Sequence, residues 1–367
     1  MLSDYLLQFK NDISFFNLFE YLTFKTAISA ITALIISFII GPITIKKLQE
    51  YQIGEEIRSS GPESHLAKRG TPTMGGVIII LSTLLPTLLF SDLSNIMVLI
   101  IALSTLWMGV IGFIDDYLKI IIKAKDGMIA RYKMIGQIIL GVIISYLIIN
   151  SNDFNGFNTK TTIPFFKNFE FDFGIFYPLL VILVITATSN AVNLTDGLDG
   201  LAIGLLAICF TVFTAISYIS GRVDFSDYLN ILYLPKASEL SIFASAAVGA
   251  CLGFLWFNSS PAEIFMGDTG SLSLGAALGT MSILLKKELL LFIIGGVFVM
   301  ETLSVIIQVS FFRYTKYKYG EGKRFFKMAP IHHHFELSGM NENKIVTRFW
   351  IVGILLALLS LATFKIR

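Results

Sequence analysis

Five short polar segments interrupt an otherwise apolar chain, and each carries side chains able to handle phosphate or a hard cation. Asp115 and Asp116 stand side by side at the end of a long apolar run, with Lys119 four residues after the first. Two carboxylates at a membrane boundary are unfavourable unless a counter-charge neutralises them. A divalent cation shared with phosphate does so, since Mg²⁺ is held by one or two carboxylates plus substrate phosphates. Lys119 shares the helix face of Asp115 and can neutralise a diphosphate. The plainer reading of these residues is a solvated helix end. In the rest of that loop, Lys123, Lys125 and Arg131 read as orientation signals, and Lys133, opening the next apolar run, is the one placed to point at a substrate.

The other four segments are of the same kind. Lys68-Arg69-Gly70-Thr71-Pro72-Thr73-Met74-Gly75-Gly76 combines basic residues, hydroxyls and a glycine pair, a set that can hold phosphate oxygens near a helix start. Asn190 to Gly200 contains Asn193, Asp196 and Asp199 with no basic residue, which exceeds what a tight turn requires. Its amide and carboxylate groups can read a base or sugar edge, and its glycines allow close backbone approach. In Asn258 to Ser271, Asp268 sits in a small-residue turn, ready to ligate a cation, and Phe265 offers a flat face to a nucleobase. A simple capped helix is the alternative there. Last, His332, His333 and His334, three of the four histidines, stand in a row before Phe335 and Glu336. With no cysteine nearby, hydrogen bonding at phosphate oxygens fits better than zinc. The preceding Arg313, Lys316, Lys318, Lys323, Arg324 and Lys327 suit lipid headgroups. Glu301 and Gln308 lie inside an apolar run, where polar residues are functional suspects. Their spacing puts both on one helix face, turned to the site.

The elements that must position these groups are membrane helices. Of 367 residues, 54% are hydrophobic and 15% charged, and mean hydropathy is +0.74. A soluble domain carries about 25% charge, so most of the chain is solvated by lipid. A net charge of +2 gives no sign of a nucleic-acid partner. Cys209 and Cys251 read as small hydrophobes. Runs of about 20 apolar residues span a bilayer. Ten candidates occur: 22–45, 73–91, 95–113, 132–150, 176–192, 197–219, 240–257, 270–285, 289–312 and 346–364. Two of them, 176–192 and 270–285, are short, the second of them Gly-rich, and need protein neighbours to cover them. Loops 46–72 and 114–133 each hold five Lys or Arg and loop 313–345 holds seven, whereas no loop of the alternate set exceeds two. The positive-inside rule therefore makes the basic, motif-bearing loops cytoplasmic and both termini periplasmic. Residues 1–21 lack the pattern of a secretory signal, and Leu6, Phe9, Ile13 and Phe16 suit an amphipathic interfacial helix. Between 151 and 175, aromatic runs flanking Lys167-Asn168 predict a small periplasmic hairpin. The expectation is one all-α polytopic domain over 1–367 with its active site at the cytoplasmic face.

In their order, TPTMGG, DDYLK, NAVNLTDGLDG, NSSPAEIFMGDTGS and APIHHHFE strongly resemble the phospho-N-acetylmuramoyl-pentapeptide-transferase family, within the polyprenyl-phosphate sugar-1-phosphate transferases. The resemblance runs from about residue 20 to the C-terminus and says least about 1–20 and 151–175. It implies transfer of phospho-N-acetylmuramoyl-pentapeptide from its UDP conjugate to undecaprenyl phosphate with Mg²⁺, giving lipid I and UMP at the bacterial inner membrane. It also implies homodimers and a broken, bent ninth span. Asp268 matches the magnesium ligand, Asp115 and Asp116 the essential pair and possible further ligands, and His332, His333 and His334 the histidine motif. Asn193, Asp196 and Phe265 match positions around uridine. Lys68, Thr73, Lys119, Lys133 and Gln308 match polar positions on the same cavity. Two rival readings remain open at this stage, a sister transferase using UDP-N-acetylglucosamine and a multi-span transporter.

Overall fold

The computed structural model describes residues 2–51, 70–122, 127–166 and 169–365. Helix α1 (Leu2–Leu7) and a 3-10 turn (Ser14–Glu20) precede α2 (Leu22–Glu50), α3 (Gly76–Phe90), α4 (Ile96–Ile120) and α5 (Ala130–Asn150). A ribbon of β1 (Lys160–Thr162) and β2 (Glu170–Asp172) leads to α6 (Tyr177–Thr195), α7 (Leu201–Ser220) and the short α8 (Val223–Leu229). Then come α9 (Leu240–Asn258), α10 (Gly267–Leu284), α11 (Leu291–Ile294), α12 (Gly296–Tyr319), α13 (Ile331–Glu336) and α14 (Glu342–Ala362).

Among the described residues, eight helices are long and apolar enough to cross a membrane: α2, α4, α5, α6, α7, α9, α12 and α14. The chain is thus an all-α multi-pass membrane protein. The two remaining expected runs form α3, of 15 residues, and α10, of 18 residues. Helix α10 is buried without interruption from Thr269 to Leu284. It packs on α3, α4, α6 and α7, so its Gly, Ser and Ala surface never has to face lipid. The expectation of protein cover holds for α10 and fails for α6. Only 33% of its most apolar window is buried, because α6 and the 3-10 turn Gly174–Phe176 before it make a continuous 22-residue span, long enough to stand against lipid.

Small residues set the helix spacing. The buried face of α2 is Ser29, Ala33, Ser37, Gly41 and Ile45, a four-residue repeat that lets α9 come close. A methyl group on Gly249 of α9 would lie 2.1 Å from the Ala30 carbonyl oxygen. Backbones also touch between α3 and α10, where a methyl on Gly76 would lie 2.1 Å from the Gly270 nitrogen.

Several boundaries differ from those expected. Helix α4 continues through Ile120, so Asp115 and Asp116 are in its last turns and not in a loop. The ninth apolar run is broken at Gly295 into α11 and α12, and α12 continues to Tyr319. The hairpin exists, but its first strand is Lys160–Thr162, with Lys160 opposite Asp172, upstream of the aromatic run. Pro164 cannot donate to a ladder, and Phe165 adopts a positive φ of 69°, which places both in the connecting turn. The N-terminal segment is two short helical pieces, with Leu6 and Phe16 packed against Phe19 and Phe90 while Phe9 and Ile13 are exposed.

Connections sort into two groups. At one end, Gly75 donates to Phe265 O, Asn193 to Asp268, and Ala262 to Asp199. At the other, Asn95 donates to Lys236 O, Lys236 pairs with Asp153, and Lys286 donates to Asn158 O. All the motif segments among the described residues belong to the first group.

Candidate active site

Two helix ends from distant parts of the sequence supply the acidic centre. Asp115 and Asp116 come from α4 and Asp268 from the first turn of α10. The helices meet because Gly112 has no side chain: a methyl there would lie 2.2 Å from the Asp268 carbonyl oxygen. The result is a cluster in which one carboxylate oxygen from each of Asp115, Asp116 and Asp268 lies within 4.8 Å of the others, a group able to hold a metal ion.

The three carboxylates do different things. Asp116 is almost fully buried and caps α10 from outside it. Its oxygens accept from the backbone N–H of Asp268 at 3.1 Å and of Thr269 at 2.9 Å, and from the Thr269 hydroxyl at 2.7 Å. These donors belong to the helix N-terminus, which carries unpaired N–H groups and the positive end of the dipole. Gly267, at φ 69°, turns the chain into α10, and a methyl there would strike Asp116 Oδ2 at 2.6 Å. Asp115 and Asp268 face each other across two ammonium groups. Lys119 Nζ is 2.5 Å from Asp115 Oδ2 and 3.1 Å from Asp268 Oδ2. Lys133 Nζ, from the first turn of α5, is 2.7 Å and 2.5 Å from the same two oxygens. Asp115 Oδ1 also accepts from Met128 N–H at 2.6 Å, behind the positive-φ Gly127. Three carboxylates against two ammoniums leave one formal negative charge at the centre.

Around this centre the other expected residues take distinct places. Asn193 Nδ2 donates to Asp268 Oδ1 and to Ser271 Oγ, both at 2.8 Å, tying the last turn of α6 to α10. Asp196 is half-buried on that turn, its N–H bonded to Val192 O and Asn193 O. Phe265 is half-buried, and its backbone pairs with Pro72 and Gly75. The threonine-glycine segment is thereby zipped to the Asp268 segment, with the buried Thr73 hydroxyl 3.0 Å from where a Gly267 methyl would stand. Gln308 is engaged by the chain itself. Its Oε1 accepts from Phe325 N–H and Phe326 N–H, and its Nε2 donates to Phe326 O, so it holds the loop before the histidines. His333 Nδ1 is 2.7 Å from Glu336 Oε2, and His334 Nδ1 accepts from Lys327 N–H at 3.2 Å. His332 is fully buried against Glu301 and Gly197. Lys68 lies outside the described residues.

Several residues outside the expected site set build this arrangement. Asp199 accepts from Ala262 N–H at 3.1 Å and donates its own N–H to Glu342 at 2.9 Å, linking three segments. Asn258 accepts from Gly200 N–H and donates to Ile264 O, closing the loop that carries Phe265. Thr269 gives two of the three donors to Asp116. Gly112 could have been found from its place three residues before Asp115 in an apolar run, with Gly109 on the same face.

Comparison with known proteins follows the same segments. Residues 98–286 match the model described as Glycosyl transferase family 4, and residues 68–80 match Phospho-N-acetylmuramoyl-pentapeptide-transferase signature 1. A phospho-N-acetylmuramoyl-pentapeptide-transferase of Desulforapulum autotrophicum is 50% identical over 367 residues, covering 100% of both chains. Those of Geobacter sp. strain M21 and Thermodesulfovibrio yellowstonii are 51% and 49% identical, covering 97% and 100% of both chains. With full-length identity at this level, and with the motif segments gathered around one acidic centre, the chain belongs to the phospho-N-acetylmuramoyl-pentapeptide-transferase family.

Proposed function

We propose that this protein transfers phospho-N-acetylmuramoyl-pentapeptide from UDP-N-acetylmuramoyl-pentapeptide to undecaprenyl phosphate, releasing UMP and forming lipid I for peptidoglycan. The observation that carries this reading is the meeting of Asp115, Asp268, Lys119 and Lys133 at one end of the helix bundle. The positive-inside rule, applied to the Lys and Arg of the motif-bearing loops, supports a site facing the cytoplasm, where a soluble nucleotide donor and a lipid phosphate can both reach it.

Mg²⁺ fits the donor set. The cluster offers only hard carboxylate oxygens, carries one net negative charge, and leaves Asp115 and Asp268 turned toward each other while Asp116 is committed to α10. Asp268, with Asp115 beside it, would hold the ion, completed by substrate phosphates. When bound, the ion supplies charge stabilisation to the diphosphate and the departing UMP. Lys119 and Lys133 add neutralising charge on the same oxygens. Asp115 orients the lipid phosphate and accepts its remaining proton. An oxygen of that phosphate attacks the phosphorus attached to the sugar, and the bond from this phosphorus to the UMP oxygen breaks. A phosphate monoester has its second pKa near 6 and is already an adequate nucleophile, so no covalent enzyme intermediate is required. One phosphoanhydride replaces another, and catalysis is mainly positioning and electrostatics. Asn193, Asp196 and Phe265 border the uridine portion, and Thr73 and the histidine segment complete the cavity. The working unit in this reading is a homodimer.

The test is UMP release by purified protein with both substrates and Mg²⁺. EDTA and Asp268→Ala should each abolish it. Stoichiometric UMP release without lipid acceptor would overturn direct attack, and no acceptor-dependent UMP would overturn the whole reading.

A further inference from the structure

Glu301 and His332 are fully buried, and neither belongs to the acidic centre. Glu301 is in the second turn of α12 and His332 in the first turn of α13. Glu301 Oε2 lies 3.2 Å from His332 Nδ1. Neither group makes a well-aligned hydrogen bond, so both Glu301 oxygens and both imidazole nitrogens have no other partner among the described residues. Buried polar groups are stable only when they satisfy one another, so each is the other's sole compensation. The far side of the imidazole rests on the backbone of Gly197. A methyl on that glycine would stand 2.4 Å from His332 Nε2 and 3.0 Å from Cε1. Gly197 belongs to the turn directly after α6, whose last turn carries the Asn193 that donates to Asp268 Oδ1 at 2.8 Å.

We infer that Glu301 and His332 form a buried latch that presses the end of α6 and the 196–200 turn into place, making Glu301 a positioning residue that acts through His332 and Gly197 without touching substrate. An apolar pair would fill the same volume without a desolvation penalty. A buried ionisable pair sets one register where an apolar contact would allow several. Register matters here because Gly295 breaks the ninth run, and α12 beyond the break is mostly unburied. His332 packs edge-on against His333 at 4.1 Å between ring centroids but differs in its polar partner, since His333 and His334 engage Glu336 and Lys327. The nucleotide part of this inference rests on the function proposed above, but the latch itself does not.

The experiment uses the full chain in detergent with Glu301→Leu, His332→Leu, the double variant and Glu301→Gln, read by backbone hydrogen exchange in 193–200 and by UMP binding. Each leucine variant should speed exchange in that segment and weaken UMP binding about tenfold, and the double variant should be no worse, since coupled residues are non-additive. Glu301→Gln keeps an acceptor of the same shape and should stay near wild type. Gly197→Ala should reproduce the leucine variants. Unchanged exchange, or additive losses in the double variant, would sink the latch. UMP binding lost together with protected exchange would sink it too, making His332 a group that meets the ligand. Failure of wild-type protein to bind UMP would count against the proposed function alone, because the exchange cycle still decides the latch.

Discussion

Replacing Gly112 with alanine should inactivate the enzyme without removing any chemical group. A methyl at that position would lie 2.2 Å from the Asp268 carbonyl oxygen, against 3.4 Å for ordinary contact, so α4 and α10 must part by about 1.2 Å. The obstacle is backbone, which cannot rotate away. Overpacking of this kind costs about 1–3 kcal/mol, which a protein of this size survives. Its effect on the site is larger. Asp115 lies one turn beyond Gly112, and its link to Asp268 runs through Lys133 at 2.7 Å and 2.5 Å. A gap of 1.2 Å breaks one of those contacts, and misplacement near 1 Å lowers turnover about 100-fold. The assay is acceptor-dependent UMP release, with thermal midpoint as the check on folding. Gly109→Ala is the control: it lies on the same helix face, but its methyl would clash with the end of the Ile80 side chain, at 2.5 Å, and meet Ser273 Oγ at an ordinary 3.5 Å. That chain can turn aside, so Gly109→Ala should retain most activity. A folded Gly112→Ala enzyme with wild-type turnover would show that α4–α10 spacing does not set the site.

Asp116→Ala leaves two buried backbone N–H groups at the start of α10 without an acceptor, at about 1–3 kcal/mol each. Its thermal midpoint should fall clearly further than that of Asp116→Asn, which keeps one acceptor oxygen, and equal midpoints would argue against the capping role. Asp115→Asn should lose turnover while binding UMP normally, because Asp115 faces the acceptor phosphate in the proposed reaction; UMP affinity lost in step with turnover would contradict that assignment. At the opposite end of the bundle, burial holds Lys286 and Lys287 down to about 8 from an ordinary 10.5. Between those values the unfolded chain binds protons that the folded one does not, so the contribution of these lysines to stability rises with pH from 8 towards 10.5. Burial raises the neighbouring Glu288, whose contribution falls as pH rises above its ordinary 4.5. Lys287→Met should flatten the alkaline rise in thermal midpoint, and an unchanged slope would show that Lys287 does not carry it.

Sequence alone determined the class of the protein, the solvent around it and the segments that matter. Long apolar runs must become helices in lipid because no water is there to satisfy an extended backbone. Asp115, Asp116, Asn193, Asp196 and Asp268 stood out because polar residues at membrane boundaries are unfavourable without a function. Lys119 was legible from its four-residue spacing, a local property of any helix. What only the tertiary structure decided is how these groups divide the work. Asp115 and Asp116 are adjacent in sequence, yet successive helix positions point about 100° apart, so one turns to the lysines and the other to the start of α10. Gln308 and His332 stood out as polar groups, and only the fold supplies their partners, Phe325, Phe326, Glu301 and Gly197, through contacts between segments that no periodicity encodes. Gly112 and Gly76 are ordinary apolar-run glycines until α10 is packed against them. The spacing of two helices is a property of both surfaces together, and a single chain read from end to end shows only one at a time.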